Sequence, residues 1–168
     1  MKASLVVMGV AGCGKSSLAA AFARAEALPL IEGDAFHSAA SVDKMSRGIA
    51  LTDTDRSGWL DRLGAELQAH PQGVVLTCSA LRRAYRERLR AASPGLRFAF
   101  LEIDREAALA RVNARASEHF FSASLVDSQF ATLESPLGEP GVLRLDATRP
   151  LAELQQELGA WWRAPETQ

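Results

Sequence analysis

The sequence predicts an α/β fold in three layers, with a five-stranded, mainly parallel sheet between two sets of helices. Three observations carry this. Short apolar, β-branched runs alternate with helical patterns along the chain, as in repeated strand–helix units. The runs Leu5-Val6-Val7-Met8 and Gly73-Val74-Val75-Leu76-Thr77-Cys78 are near-continuously apolar rather than alternating, which suits strands buried on both faces. Between the first run and a following helical pattern lies Gly9-Val10-Ala11-Gly12-Cys13-Gly14-Lys15-Ser16, a glycine-rich turn from strand into helix.

In chain order, the first strand is expected at about residues 4–9 and the first helix at about 15–26. A short second strand over about 29–32 ends at Gly33-Asp34. Residues 38–70 read as mostly helical, broken at Gly48 and near Thr52-Asp53, either of which suits a helix cap. The third strand covers about 73–78, and a strongly basic helix follows over about 81–90. A fourth strand is expected at about 96–103 and a helix at about 106–116. A polar turn and another helical stretch occupy about 117–135. A last strand at about 142–145 and an amphipathic helix at about 151–162 close the chain. There is no repeat and no low-complexity linker, so residues 1–168 read as one domain.

The turn at residues 9–16 fits G-x-x-x-x-G-K-[ST], a phosphate cradle. Glycines let backbone N–H groups converge on phosphate oxygens. The helix that starts there aims its positive dipole end at the same point. Gly9, Val10, Ala11, Gly12, Cys13, Gly14, Lys15, Ser16 and Ser17 are therefore the expected ATP-binding stretch. Lys15 is expected on the β- and γ-phosphates, and the Ser16 hydroxyl on Mg²⁺.

Composition narrows the remaining possibilities. With 48% hydrophobic and 23% charged residues, a folded globular chain is expected. A net charge of −1 gives no general nucleic-acid surface. Apolar runs are far shorter than a membrane span, and no signal peptide is expected before the first strand. Cys13 and Cys78 are the only cysteines, and Cys13 sits in the phosphate loop. A reducing cytoplasm is the expected setting.

In an open parallel sheet, ligands lie beyond the carboxyl ends of the strands. That places Asp34 beside the phosphate loop as candidate general base, with His37 just past it as an acceptor contact. Arg82 follows the third strand and is the arginine expected to meet an anionic acceptor. Arg82 and Arg86 are expected on one helix face, with the other arginines of that helix solvated. Lys44 and Arg56 lie in the insertion after the second strand. Arg111 and Arg115 are placed to lean over the nucleotide or to stabilise charge on the transferring phosphoryl group. No acid ends the third strand, where one often binds Mg²⁺. Ser16, phosphates and water are therefore expected to hold the ion, with Asp34 as a possible further partner.

These residues resemble a known family. The blocks are Gly9 to Ser16, Glu32-Gly33-Asp34-Ala35-Phe36-His37, residues 44–56 with Trp59-Leu60, residues 78–86, His119-Phe120-Phe121, Ser124-Leu125 and residues 128–134. In this order and spacing they look like the gluconokinases of the P-loop carbohydrate kinase group. The resemblance implies a P-loop kinase fold like that of shikimate and adenylate kinases, with an acceptor-binding insertion at about residues 36–70 and a lid at about 113–127. It implies transfer of phosphate from ATP, with Mg²⁺, to the C6 hydroxyl of D-gluconate in carbohydrate acid metabolism, and often a homodimer. By position it implies Asp34, His37, Lys44, Arg56, Arg82 and His119 around gluconate. Lys15, Asp34 and Arg115 would be catalytic, and residues 146–150 would lie near the adenine. The lid is one residue longer than the family pattern, and Ser122 replaces its common proline or lysine.

Two other readings remain at this point. One is a kinase for another small acceptor, such as shikimate or a nucleoside monophosphate. Against shikimate, Ser79-Ala80-Leu81 stands where that family has a glycine run. The other is a non-catalytic nucleotide-binding module, disfavoured by the joint presence of Lys15, Ser16 and Asp34.

Overall fold

Residues 5–8 feed two cores at once. Leu5 and Val7 pack on one face of the sheet with Leu18, Phe22 and Leu158, while Val6 and Met8 pack on the other with Trp59, Leu63 and Leu89. Side chains of a strand alternate between faces. A strand apolar at every position must therefore be covered on both sides, and all four side chains are fully buried. Each such burial contributes about 1.5–3 kcal/mol.

The computed structural model describes residues 3–115 and 123–164. The strands β1 (Leu5–Met8), β2 (Leu30–Glu32), β3 (Val75–Thr77), β4 (Arg97–Glu102) and β5 (Val142–Asp146) form one sheet in the order β2-β3-β1-β4-β5. Every pairing is parallel, with Val6 opposite Leu76 on one side and Phe98 on the other. The helices are α1 (Lys15–Glu26), α2 (Ala39–Ser46), α3 (Asp53–Ala69), α4 (Arg83–Ala92), α5 (Arg105–Ala114), α6 (Ala123–Thr132) and α7 (Leu151–Arg163). A 3-10 turn covers Gly33–Phe36. The expected strands and helices are present, with their ends moved by one or two residues.

Several boundaries have clear local causes. Thr52, rather than Asp53, caps α3: its side chain accepts from Asp55 N, and Asp55 reaches back to Thr52 N, a reciprocal capping box. Ala27 ends α1 in the left-handed region and gives its N–H to the carbonyls of Ala23 and Arg24. Gly33 leaves no room for a side chain, because a Cβ there would run into the Thr77 carbonyl. That close approach sets the turn after β2 against the end of β3.

The basic helix differs from expectation. Arg82 is not in the helix but at its N-cap, 46% exposed, with Nη1 3.9 Å from Asp53 Oδ2. Arg90, expected to be solvated, is only 14% exposed, and Arg86 does not share the setting of Arg82. Arg86 is fully buried, with Nε and Nη2 on the two oxygens of Glu139 at 2.9 and 2.6 Å and Nη1 on the Ala80 carbonyl at 2.7 Å. Arg90 shares Glu139 at 2.9 Å and lies over the Phe98 ring. Burial alone would raise the Glu139 pKa, but hydrogen bonds from Arg86 and Arg90 win and hold it below the usual carboxylate range. Helical periodicity could not show this, since Glu139 lies outside α4 altogether.

At the carboxyl end of the chain both tryptophans of α7 pack against the core. Trp162 meets Phe22 edge-on at 5.4 Å, and the Arg97 guanidinium lies 3.9 Å from the Trp161 ring centre. No helix among the described residues is long and apolar enough to cross a membrane.

Candidate active site

The phosphate loop runs from the end of β1 into α1, and its shape depends on contacts that only small residues allow. Gly9 has φ 146°, and a Cβ there would lie 2.7 Å from Cys13 Sγ and 2.8 Å from the Leu101 carbonyl. Val10 and Cys13 are buried beneath the loop. Lys15 folds back across it, donating from Nζ to the carbonyls of Gly9 at 2.9 Å and Val10 at 3.1 Å. Those carbonyls hold the ammonium at the mouth of the loop, where phosphates would replace them.

Beside the loop is a cleft of about 140 Å³. Ala11, Gly12, Gly14, Lys15, Ser16 and Ser17 line it, with Asp34, Arg111 and Arg115 opposite. Arg111 straps the loop in place. Its Nη1 donates to the carbonyls of Gly12 at 3.2 Å and Cys13 at 3.4 Å, and its Nη2 to that of Ala147 at 2.8 Å. The strap joins the phosphate loop to the segment after β5, which sequence reading placed near the adenine.

A second, smaller cavity of about 30 Å³ adjoins the first. His37, Arg56, Trp59, Ser79 and Gln129 are among its walls, and Lys15 and Asp34 line both cavities. Arg56 is only 7% exposed, and its Nη1 donates to the Tyr85 hydroxyl at 3.2 Å. That hydroxyl donates in turn to Asp53. Burial, then the Asp53 hydrogen bond, raises the Tyr85 pKa, so the phenol stays neutral.

Asp34 sits on the 3-10 turn that Gly33 opens. Trp59 Nε1 donates to the Gly33 carbonyl at 2.7 Å, and the Trp59 ring stacks on His37 with centres 4.2 Å apart. His37 Nε2 lies 3.4 Å from Asp34 Oδ1. Trp59 thus fixes the turn that carries the candidate base.

The expected residues separate into two groups. Ala11, Gly12, Gly14, Lys15, Ser16 and Ser17 of the loop come together with Asp34, His37, Arg56, Arg111 and Arg115 around the two cavities, while Gly9, Val10 and Cys13 line neither. Lys44 and Arg82 line neither. Lys44 Nζ is held by Asp55 Oδ2 at 2.8 Å. The Lys44 hydrogen bond, with that from the Thr52 backbone, pulls the Asp55 carboxyl down to about 2. Expected contacts from His119 lie outside the described residues, as does much of the expected lid.

Sequence reading missed Glu32. Ser16 Oγ donates to Glu32 Oε2 at 3.1 Å, and Thr77 Oγ1 donates to the same oxygen at 2.6 Å. The Thr77 oxygen also accepts from Gly33 N at 3.1 Å. An acid thus stands beside Ser16 although the third strand supplies none; it comes from the end of β2. The signal lies in Glu32-Gly33-Asp34, two acids at a strand's carboxyl end. Cys78 takes no part in such chemistry, since burial pushes its thiol up to about 12.

A larger cavity of about 610 Å³ lies at the amino ends of β4 and β5, along Arg97, Gly141 and Trp161. It is remote from the phosphate loop, and its arginines already face Glu139 and the α7 carbonyls. Size does not mark the site here; converging phosphate donors and a carboxylate do.

A nucleotide-phosphate loop facing a small polar acceptor cavity, on a five-stranded parallel sheet, defines a P-loop kinase for small molecules. A family model described as an AAA domain matches residues 5–140. The chain belongs to the gluconokinase family. It is 43% identical over 159 residues to the gluconokinase of Gluconobacter oxydans, covering 92% of this chain and 88% of that one. It is 37% identical over 158 residues to the thermosensitive gluconokinase of Escherichia coli, covering 92% and 84%. The crystal structure of a gluconokinase from Sinorhizobium meliloti superposes with a TM-score of 0.88 at 45% identity, covering 95% of this chain and 91% of that one.

Proposed function

We propose that this chain transfers the γ-phosphoryl group of ATP to the C6 hydroxyl of D-gluconate, giving 6-phosphogluconate. The observation that carries this reading is the pair Lys15 and Asp34, which line both cavities and so mark where donor and acceptor meet. Lys15 exchanges the Gly9 and Val10 carbonyls for phosphate oxygens and follows the charge as it moves. Asp34 orients the acceptor hydroxyl and takes its proton as the O–P bond forms and the bond to ADP breaks. Arg56 offers its guanidinium to the acceptor carboxylate, and His37 borders the hydroxyl-bearing chain. Arg115 neutralises charge on the phosphoryl group from the donor side, beside Arg111.

The oxygen set beside the loop suits Mg²⁺. Ser16 would hold the ion directly and Glu32 through water, an arrangement of few protein oxygens plus phosphates that this ion favours. When bound, it neutralises charge between the β- and γ-phosphates.

The acceptor cavity, at about 30 Å³, is far smaller than the roughly 300–1,000 Å³ of ordinary ligand pockets. Gluconate entry therefore requires the insertion at residues 36–70, or α6, to move outward. Residues 113–127 serve as the lid that closes afterwards and excludes water. The enzyme works in the cytoplasm as a homodimer with one kinase domain per chain; light scattering checks the oligomeric state.

A coupled assay with ATP, Mg²⁺ and a panel of sugar acids tests the proposal. Gluconate-dependent ADP release is expected. Release with another acceptor but not gluconate overturns the substrate, and tight ATP binding without any turnover overturns the reaction.

A further inference from the structure

Helix α6 and its end touch three parts of the site. Ser124 Oγ donates to the Gly48 carbonyl in the acceptor insertion at 3.3 Å. Glu134, just past the helix, accepts from Arg83 N at 3.2 Å and gives its own N–H to the Leu81 carbonyl at 2.7 Å. Between these tethers, Gln129 Oε1 accepts the backbone N–H of Ala11 at 2.7 Å. Gln129 is 9% exposed and lines the acceptor cavity, whereas Ala11 lines the donor cleft.

The chemistry of this contact fixes the side chain's orientation. A backbone N–H can only donate, so the carboxamide oxygen must face the loop and the NH₂ end must face away from it. One phosphate-loop amide is thus held by a helix that borders the acceptor rather than by the loop's own residues. An NH₂ group at the wall of a polyol cavity finds its partner in a hydroxyl or carboxylate oxygen. Both ends belong to one rigid planar group, so fixing one restrains the other.

We propose that Gln129 is a positioning residue that couples occupancy of the acceptor cavity to the conformation of the phosphate loop at Ala11. The inference rests on the gluconate reading above. Gluconate engages the NH₂ end, the oxygen end steadies Ala11, and the nucleotide then meets a loop already set. By linkage, gluconate and nucleotide strengthen each other's binding by the same factor.

Titration calorimetry with a non-hydrolysable ATP analogue, with and without gluconate, tests this on the whole chain. In the wild type, gluconate should lower the nucleotide Kd by about five-fold or more. Gln129→Met keeps the volume but makes neither hydrogen bond, and should bring that ratio to about one. Gln129→Glu keeps an oxygen for Ala11 and loses the NH₂ donor. It should raise the gluconate KM by about ten-fold while nucleotide Kd without gluconate stays within about three-fold. A merely structural Gln129 would lower the melting temperature and leave the ratio intact. Should Gln129→Met fail to fold, the KM split in Gln129→Glu decides. A wild type that phosphorylates gluconate without coupling, or a Met variant that keeps the coupling, overturns the role of Gln129 alone. A wild type that does not phosphorylate gluconate overturns the functional reading and this inference with it.

Discussion

The Ser16 hydroxyl donates to Glu32 Oε2 across 3.1 Å, linking the last residue of the phosphate motif to the last residue of β2. Thr77 Oγ1 holds the same carboxylate oxygen from the end of β3. The acid is therefore braced toward Ser16 by a neighbouring strand. Glu32→Gln keeps the hydrogen-bonding shape and removes the charge. It should raise the Mg²⁺ concentration needed for half-maximal rate by about ten-fold or more. An unchanged Mg²⁺ dependence would separate Glu32 from the ion.

Lys15 and Asp34 divide the transfer between them. Lys15→Ala should leave no measurable turnover. Asp34→Asn should lower kcat by about 10²–10⁴-fold while ATP affinity, read by direct titration, stays close to wild type. Wild-type kcat in Asp34→Asn would remove it as the base.

Arg56 is buried at the acceptor wall and steadied by Tyr85. Tyr85→Phe removes the steadying hydroxyl without touching the cavity lining. Gluconate KM should rise several-fold with kcat little changed, since the loss falls on ground-state and transition-state binding alike. Steady-state kinetics at saturating ATP measures this, and equal loss in kcat would contradict it.

The buried pair of Arg86 with Glu139 is structural. Glu139→Gln leaves the Arg86 charge uncompensated, and should destabilise the fold by about 3–5 kcal/mol in denaturant titration. The double change Arg86→Met with Glu139→Leu should recover part of that loss, because it buries neither charge, although Arg90 then keeps, among the described residues, only Glu87 as its acid.

Asp55 gives a pH signature. Its folded-state pKa is depressed from 3.8 to about 2. A depressed carboxyl stabilises the folded state in full above its unfolded value, and that share is lost as pH falls from about 4 toward 2. Asp55→Asn should flatten this part of the melting-temperature profile. An identical acid limb in the variant would assign the loss to other carboxylates.

What the sequence revealed depended on how local each relationship was. The phosphate loop was legible because its motif is contiguous and its flanking strand and helix are adjacent in sequence. Asp34 and His37 followed from the rule that ligands sit past strand ends. Arg90, expected to be solvated, was misread because its partner Glu139 lies 49 residues away. A helical pattern shows which residues share a face, not what covers it. Lys44 was expected around the acceptor, whereas Asp55, 11 residues on and across the break before α3, holds it. Glu32 and Gln129 escaped notice for the same reason. Their roles appear only when β2 is set beside β3 and α6 beside the loop.

The strand order β2-β3-β1-β4-β5 divides the molecule along β1. Most acceptor residues hang from the β2–β3 side, with α6 adding Gln129, and the Arg111 strap and the segment after β5 lie on the other. Inherited changes between residues 36 and 82 can therefore redraw much of the acceptor wall while the phosphate loop, Glu32, Asp34 and the Arg111 strap are passed on unaltered. The sheet is, in evolutionary terms, a chassis with one exchangeable half.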